Sequence, residues 1–354
     1  MDNSRIKDSR ERYRRWYRLF LGLGLFTSLA AAAIIIVLVG IAATTRESPS
    51  GIAVFGTTFS KSYAESLGLD WKTVYLAVLD DLNIRQLRLP APWDQIEPQK
   101  GQYDFTDLDW QVAEAAKRHA QVIIAVGTKT PRWPECHPPA WTNGLSQDQV
   151  HREALAMIAA VIRRYQNDST VVNWQVENEP LLNFGVCPKP DPEFLKTEVA
   201  EAHDLDRRAV LIQDAGEFST WQPTAQYADI LGVSLYRLVW DRRFGYVHWP
   251  SLSAAYRLRT ELALGHVSRV IVTELQAEPW TTEDIKNMPL DQQLAQINPQ
   301  TLQDNVRYAQ NIGFPEVYFW GVEWWYWMRE QGHPEVWDAG RTIINGQKSI
   351  VAVE

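Results

Sequence analysis

From Gly51 onward, short apolar or β-branched runs alternate with longer stretches of helical periodicity, and this alternation constrains the fold of the 354-residue chain most. Such a pattern is typical of βα units whose strands form a parallel sheet. Eight runs have the composition of strands, and eight βα units close naturally into a barrel. The predicted strands are Ile52–Thr57, Ile84–Leu89, Val122–Gly127, Val171–Val176, Val210–Gln213, Ile230–Leu235, Val270–Thr273 and Val317–Trp320.

An open, doubly wound sheet is the alternative arrangement of the same units. No Gly-x-Gly-x-x-Gly turn follows the first strand, so the nucleotide-binding form of that fold has no support. The length would permit two domains, but barrels commonly run to about 250 residues or more as one unit. We therefore expect an α/β fold in which residues 52–354 form one (β/α)8 barrel, with its last helix within Pro334–Ile344.

An uncharged segment, Leu19–Ala43, precedes the barrel and predicts one transmembrane helix. It has about 25 residues, and the hydrocarbon core of a bilayer needs about 20. The positive-inside bias then places the basic N-terminus, residues 1–18, in the cytoplasm. It places the linker, residues 44–51, and the barrel outside, on a single-pass protein of the cell membrane. The arginines that set this orientation are Arg10, Arg12, Arg14, Arg15 and Arg18.

A cleaved signal peptide is the alternative reading of this segment, because Ala42 and Ala43 could form a cleavage site. Its apolar region would normally span only 7–15 residues, which favours the uncleaved anchor. If cleavage occurs, the barrel is secreted.

The net charge and the cysteine content limit which classes of ligand and partner the sequence supports. The net charge of -8 provides no basic footprint for nucleic acid. The only cysteines, Cys136 and Cys187, form no Cys-x-x-Cys pair, so no metal site or redox motif is indicated, and no cofactor is expected. They fall in the loops after strands three and four, which are neighbours at the barrel rim. We expect a disulfide between them, since disulfides persist outside the cytoplasm.

Carboxylates end two of the predicted strands. The active site of such a barrel lies at the carboxyl ends of its strands. Strand four changes abruptly from apolar residues to Glu177-Asn178-Glu179-Pro180, and strand seven is apolar until Glu274. Hydrolysis of a glycosidic bond needs one carboxylic acid to protonate the departing oxygen and one carboxylate to meet the positive charge at the anomeric carbon.

The segment Trp174–Pro180 resembles the Asn-Glu-Pro signature of the clan A glycoside hydrolase barrels. Its Gln-Val-Glu-Asn-Glu portion is similar to the corresponding segment of family-35 beta-galactosidases. The resemblance implies that Glu179 is the acid/base, that Glu274 is the nucleophile and that Asn178 binds the sugar 2-hydroxyl.

Further matches follow in order along the barrel, from about Gly51 to Trp320. Arg88 occupies the place of the clan's site arginine, Tyr236 that of a tyrosine touching the nucleophile, and Trp320 that of a tryptophan beneath the sugar. Residues 93–98 with 101–105 resemble a segment common after strand two, which adds Trp93 to the expected substrate-binding residues.

Three neighbouring side chains have interpretations that rest on the residues alone. Glu177 is expected to share a strand face with Glu179, because side chains two apart point the same way, and to pair with Arg88. Arg88 itself is either an ion-pair partner or a substrate contact. Glu278 is the alternative nucleophile but is expected to cap or steer a loop.

The sequence thus predicts a retaining glycoside hydrolase that cleaves O-glycosidic bonds of a poly- or oligosaccharide by double displacement. A retaining route requires the two carboxyls to lie about 5–5.5 Å apart. Two alternatives use the same residues: a transglycosidase that remodels surface polysaccharide, and a carbohydrate-binding barrel without catalysis.

Overall fold

A computed structural model describes residues 54–241, 243–249 and 253–346, with 16, 20, 22 and 24–33 near the N-terminus. The chain divides into two units, Met1–Pro49 and Ser50–Glu354, and residues 24–33 of the first are helical. No helix among the described residues combines the length and apolarity needed to cross a bilayer. About half of the predicted anchor, residues 19–43, lies outside the described residues.

Eight parallel strands close into a barrel, which confirms the predicted (β/α)8 fold. The strands are β1 Val54–Thr58, β2 Gln86–Pro90, β3 Gln121–Val126, β4 Val171–Asn178, β5 Val210–Asp214, β6 Ile230–Leu235, β7 Leu238–Asp241, β8 Gly245–His248, β9 Arg269–Gln276 and β10 Glu316–Trp320. Around the barrel the strands follow the order β1-β10-β9-β6-β5-β4-β3-β2. An antiparallel hairpin, β7–β8, stands between β6 and β9 in the chain and was not predicted.

Helices begin where the sequence supplies caps for their first N–H groups. Ser146 and Gln149 form a reciprocal capping box, and Asp191 caps a helix whose first residue is Pro192. The described α-helices are α1 Lys61–Ser66, α2 Trp71–Asp80, α3 Trp93–Ile96, α4 Thr106–Lys117, α5 Gln147–Tyr165, α6 Pro192–Leu205, α7 Gln222–Ala225, α8 Ser253–Ala263, α9 Leu290–Gln296, α10 Pro299–Ile312, α11 Val322–Glu330 and α12 Glu335–Gly346.

The main hydrophobic core lies between the barrel and its surrounding helices. The aromatic run after β10 belongs to this core: Trp324 and Trp325 of α11 are fully buried, and their indole N–H groups donate to Gln293 and to the Ala277 carbonyl. Aromatic residues in this run therefore hold the last helices against the barrel.

The barrel interior is layered. A small apolar cluster fills one level and comprises Ile123, Leu211, Ile230, Ile271 and Tyr318. Polar side chains from the more C-terminal positions of the strands, including Arg88, Gln175 and Gln213, are fully buried. Closed apolar packing at one level and buried polar groups at the next confine the chemistry to the carboxyl ends of the strands.

Candidate active site

Arg88 organises the site from the centre of the barrel. Its guanidinium contacts side chains from four other strands, which is possible only in the interior. It donates to Thr58 (3.1 Å), Gln175 (2.6 Å), Asn178 (2.6 Å), Glu274 (3.1 Å) and Gln213. The side chain has no exposed surface. Of the two interpretations of Arg88, the structure places it as an ion-pair partner.

Glu274 on β9 is held by two donors. Oε1 forms the salt bridge with Arg88, and Oε2 accepts a hydrogen bond from the Tyr236 hydroxyl at 3.1 Å. The residue is 4% exposed. Buried carboxylates require such partners, since an unpaired one is costly. Tyr236 is fixed in turn, because its backbone N–H donates to Glu217.

The end of β4 is irregular, and this irregularity positions Glu179. The pairing of β4 with β5 shifts register between Gln175 and Asn178, and Glu177 and Glu179 have φ of 59° and 47°. Residues other than glycine rarely adopt this left-handed conformation, which clusters at functional sites. As a result Glu179 accepts a hydrogen bond of 2.6 Å from Ser234, the residue paired with Glu274 in the β6–β9 register.

Burial raises the pKa of Glu179 to about 8, and the negative charges of Glu274 and Glu135 add to this increase. Glu179 is therefore protonated at neutral pH while Glu274 is held by a guanidinium and a hydroxyl. An acid and a carboxylate in different environments at the mouth of one barrel are what general acid catalysis with a nucleophile requires.

Glu177 does not pair with Arg88, and the prediction that it shares a face with Glu179 is wrong. It accepts hydrogen bonds from the backbone N–H groups of Thr128 (2.5 Å) and Lys129 (2.9 Å). It also lies against Glu198 of α6, and burial raises the pKa of both carboxyls. The left-handed residues at the end of β4 break the period of two on which the prediction rested.

The prediction that Trp93 binds substrate is also corrected by the structure. It begins α3, is fully buried, donates its indole N–H to Glu97 at 2.8 Å and packs edge-on against Trp141. A side chain without exposed surface cannot contact a sugar. Trp93 and Glu97 therefore stabilise the segment after β2.

Trp320 ends β10 as predicted, but one face of its ring is occupied. The Arg132 guanidinium lies 4.0 Å from the Trp320 ring centroid and 3.7 Å from that of Tyr63. Arg132 also forms salt bridges with Glu278 and Glu323. Glu278 thus holds the arginine that packs on Trp320, and the stacking role of Trp320 stays a prediction.

A disulfide joins Cys136 to Cys187 and links the loops after β3 and β4. Directly beside it, Glu135 accepts a 3.2 Å hydrogen bond from the Asn178 amide. Sequence reasoning missed Glu135, because no strand periodicity fixes its direction. Its only signal was an acidic residue between a proline and a cysteine in a rim loop.

Part of the chain is similar to known beta-galactosidases. The model of glycoside hydrolase family 42, described as beta-galactosidase, matches residues 76–148. Beta-galactosidase BgaA of Clostridium cellulovorans is 24% identical over 165 residues, which are 41% of this chain and 25% of BgaA. The chain thus spans about a quarter of the length of this curated relative.

Solved structures share the barrel. A GH5 subfamily 18 protein of Bifidobacterium longum superposes with a TM-score of 0.59 at 13% identity, covering 84% of this chain and 79% of that one. One of Streptomyces cattleya, in complex with GlcNAc, gives 0.55 at 15%, covering 76% and 70%. A beta-galactosidase of Halorubrum lacusprofundi gives 0.52 at 15%, covering 75% and 52%. At these identities the superpositions show the shared barrel fold, and the family match over residues 76–148 supports the predicted resemblance to glycosidase barrels.

Proposed function

We propose that this protein is a retaining glycoside hydrolase acting on a poly- or oligosaccharide. The observation that carries the proposal is that one barrel mouth holds both a protonated carboxyl, Glu179, and a carboxylate, Glu274, that forms an ion pair with Arg88. The family match and the beta-galactosidase relative support glycosidic chemistry and make β-galactosides the first substrates to examine.

In the proposed mechanism, Glu274 attacks the anomeric carbon while Glu179 gives its proton to the departing oxygen. The bond to the leaving group breaks as the ester to Glu274 forms. Glu179 then removes a proton from water, which attacks the anomeric carbon and releases Glu274. Arg88 and Tyr236 hold the two oxygens of Glu274. The role of Asn178 in binding the sugar 2-hydroxyl is what the resemblance to the clan A barrels implies.

The leaving group has space beside Glu179. A cavity of about 180 Å³ lies against Glu179 and is lined by residues of the segments after β4 and β5, among them Leu181, Leu182 and Phe218. Its lining combines apolar and aromatic side chains with two carboxyls, those of Glu179 and Asp214, and such a mixture suits the apolar faces and the hydroxyl groups of a sugar ring.

Leaving-group dependence tests the role of Glu179. Glu179→Gln should spare the first step for dinitrophenyl glycosides, whose leaving group needs no proton, and should slow methyl or disaccharide substrates by about 10²- to 10⁴-fold. Glu283→Gln, an exposed carboxylate in the segment after β9, is the matched control. Equal losses with good and poor leaving groups would argue against the acid role.

Two further assays separate the alternatives. Sugar binding without turnover on a broad glycoside panel would identify a non-catalytic barrel. Product analysis with added acceptor sugar would reveal transglycosylation if transfer products exceed hydrolysis products.

We also propose that residues 19–43 anchor the protein in the cell membrane with the barrel outside the cytoplasm. The proposal rests on the uncharged length of this segment and the arginines before it. The Cys136–Cys187 disulfide supports a location of the barrel in an oxidising compartment outside the cytoplasm. The full chain should stay in the membrane pellet after carbonate washing, whereas a chain beginning at Gly51 should not. Release of both forms would remove the anchor.

A further inference from the structure

Glu135 is a third carboxylate in a site whose proposed chemistry needs two. It is 8% exposed, and burial together with the negative charge of Glu274 raises its pKa to about 7. Its charge also contributes to the raised pKa of Glu179. A structural carboxylate would have its oxygens satisfied by protein donors, so the contacts of Glu135 decide its role.

The two rim loops hold Glu135 in place from both sides. Its backbone N–H donates to Arg132, its carbonyl accepts from Thr130, and its φ is 74°. On the other loop, Gly185 packs so closely that a Cβ there would lie 2.6 Å from the Glu135 Cβ. The adjacent disulfide ties the loops together. This amount of local support indicates a carboxylate whose position matters.

Among the described residues, only one of the two carboxylate oxygens of Glu135 accepts a hydrogen bond. Oε2 accepts the hydrogen bond from the Asn178 amide. The Asn178 oxygen is occupied by Arg88 and Gln175, which fixes the orientation of the amide. Within the described residues Oε1 of Glu135 has no hydrogen bond, and it is not sealed from solvent as the buried unpaired atoms are. An acceptor is thus available beside the amide expected to bind the sugar.

The cations near the site are all engaged. Arg88 binds Glu274, Arg132 binds Glu278 and Glu323, and the Lys129 ammonium donates to the carbonyls of Glu179 and Leu182. Close to Glu135 the described side chains therefore offer acceptors for hydroxyl groups and no unengaged cation for a carboxylate.

We propose that Glu135 is a specificity-determining residue of this site, whose Oε1 accepts a hydrogen bond from a hydroxyl group of the sugar bound between Glu179 and Glu274. Neutral sugars are accepted there, and sugars that carry a carboxylate are repelled. The inference rests on the proposed hydrolase function and adds its substrate class.

Nitrophenyl glycosides provide the test, with β-galactoside, β-glucoside and β-mannoside as neutral substrates and β-glucuronide as the acidic one. Glu135→Ala should lower kcat/KM for the best neutral substrate by about 10- to 100-fold, the loss expected for one hydrogen bond to a charged group. Glu135→Gln keeps the shape and one acceptor, so its loss should be smaller while the rate on the glucuronide relative to the neutral substrate rises. Glu283→Ala is the control and should change neither quantity.

Circular dichroism and thermal melting establish that each variant is folded, and Glu135→Gln carries the test if Glu135→Ala is not. Wild-type kinetics in both variants, or rapid turnover of the glucuronide by the unmodified enzyme, would overturn the inference. If no glycoside is cleaved, the hydrolase proposal fails instead. Saturation-transfer NMR with free galactose, glucose and mannose then decides about Glu135: loss of binding in the variants supports the inference, and unchanged binding overturns it.

Discussion

Replacement of Glu274 by Gln tests whether Glu179 and Glu274 act as one electrostatic unit. Gln keeps the size of Glu and an oxygen that the Arg88 guanidinium can reach, but it removes the negative charge. Because that charge is the second cause, after burial, of the raised pKa of Glu179, the pKa must fall in Glu274→Gln. The same charge is lost when Glu274 carries a sugar, so the variant also imitates the proposed covalent intermediate.

The size of the effect follows from the separation that a retaining site requires. Two unit charges about 5.5 Å apart interact by about 3 kcal/mol at an effective dielectric constant of about 20. Since 1.36 kcal/mol corresponds to a tenfold change, the proton affinity of Glu179 should fall by a factor of about 100 or more. With a pKa of about 8, roughly nine tenths of Glu179 is protonated at pH 7 in the wild-type protein. In the variant most of it should be ionised.

Carbon-13 NMR of protein labelled at the glutamate carboxyls measures the pKa of Glu179 in the wild-type protein and in Glu274→Gln. The Glu179 signal is assigned by its absence in Glu179→Gln, and Glu135→Gln separates the neighbouring titration. Glu283→Gln should leave the Glu179 titration unchanged, since Glu283 is not among the charges that act on it. An unchanged proton affinity in Glu274→Gln would mean that the carboxyls do not face each other, and the double-displacement proposal would fall.

Four further outcomes are expected. Above pH 8, kcat/KM should fall about tenfold per pH unit as Glu179 ionises, and Glu135→Gln should move this fall to lower pH; a flat profile to pH 10 would contradict the acid role. Because folding raises the pKa values of Glu135 and Glu179, the folded state binds more protons than the unfolded state between pH 4.5 and 8. The free energy of unfolding, measured in urea, should therefore fall as the pH rises through this window, and it should fall less steeply in Glu135→Gln. Replacing Cys136 and Cys187 by Ala should lower the free energy of unfolding by about 4 kcal/mol, since the disulfide closes a loop of 51 residues, and an unchanged denaturation midpoint would refute this. Gly185→Ala should lower activity on neutral glycosides more than it lowers the melting temperature, because the new Cβ displaces Glu135; unchanged kinetics would show that the Glu135 position tolerates this shift.

The barrel could be predicted from the sequence because its strands are buried on both faces. Parallel strands covered by helices read as continuous apolar runs, and the observed strands begin and end within three residues of those predicted. The last helix, Glu335–Gly346, likewise overlaps its predicted range. The β7–β8 hairpin was missed because each of its strands has only four residues and most of these residues are partly or fully exposed.

The sequence also predicted which residues lie together where the strands end regularly. Arg88, Tyr236 and Glu274 meet because the carboxyl ends of parallel strands share one end of the barrel. Glu177 and Trp93 were misplaced for local reasons, the first by left-handed residues within β4 and the second by a short helix that turns its indole inward. Glu135 depends on contacts between two loops distant in sequence, which no local pattern encodes.

A third carboxylate also affects how the proposed reaction would proceed. Formation of the ester at Glu274 removes one negative charge, which lowers the pKa of Glu179 and lets it act as the base in the second step. The charge of Glu135 is not consumed, so it continues to oppose ionisation of Glu179 in the intermediate. A sugar hydroxyl that donates to Glu135 favours the ionised form of this carboxyl, so its negative charge persists while the sugar is bound. In the proposed reaction the fall in the pKa of Glu179 therefore comes from the loss of the Glu274 charge, and Glu135 limits how far that pKa falls.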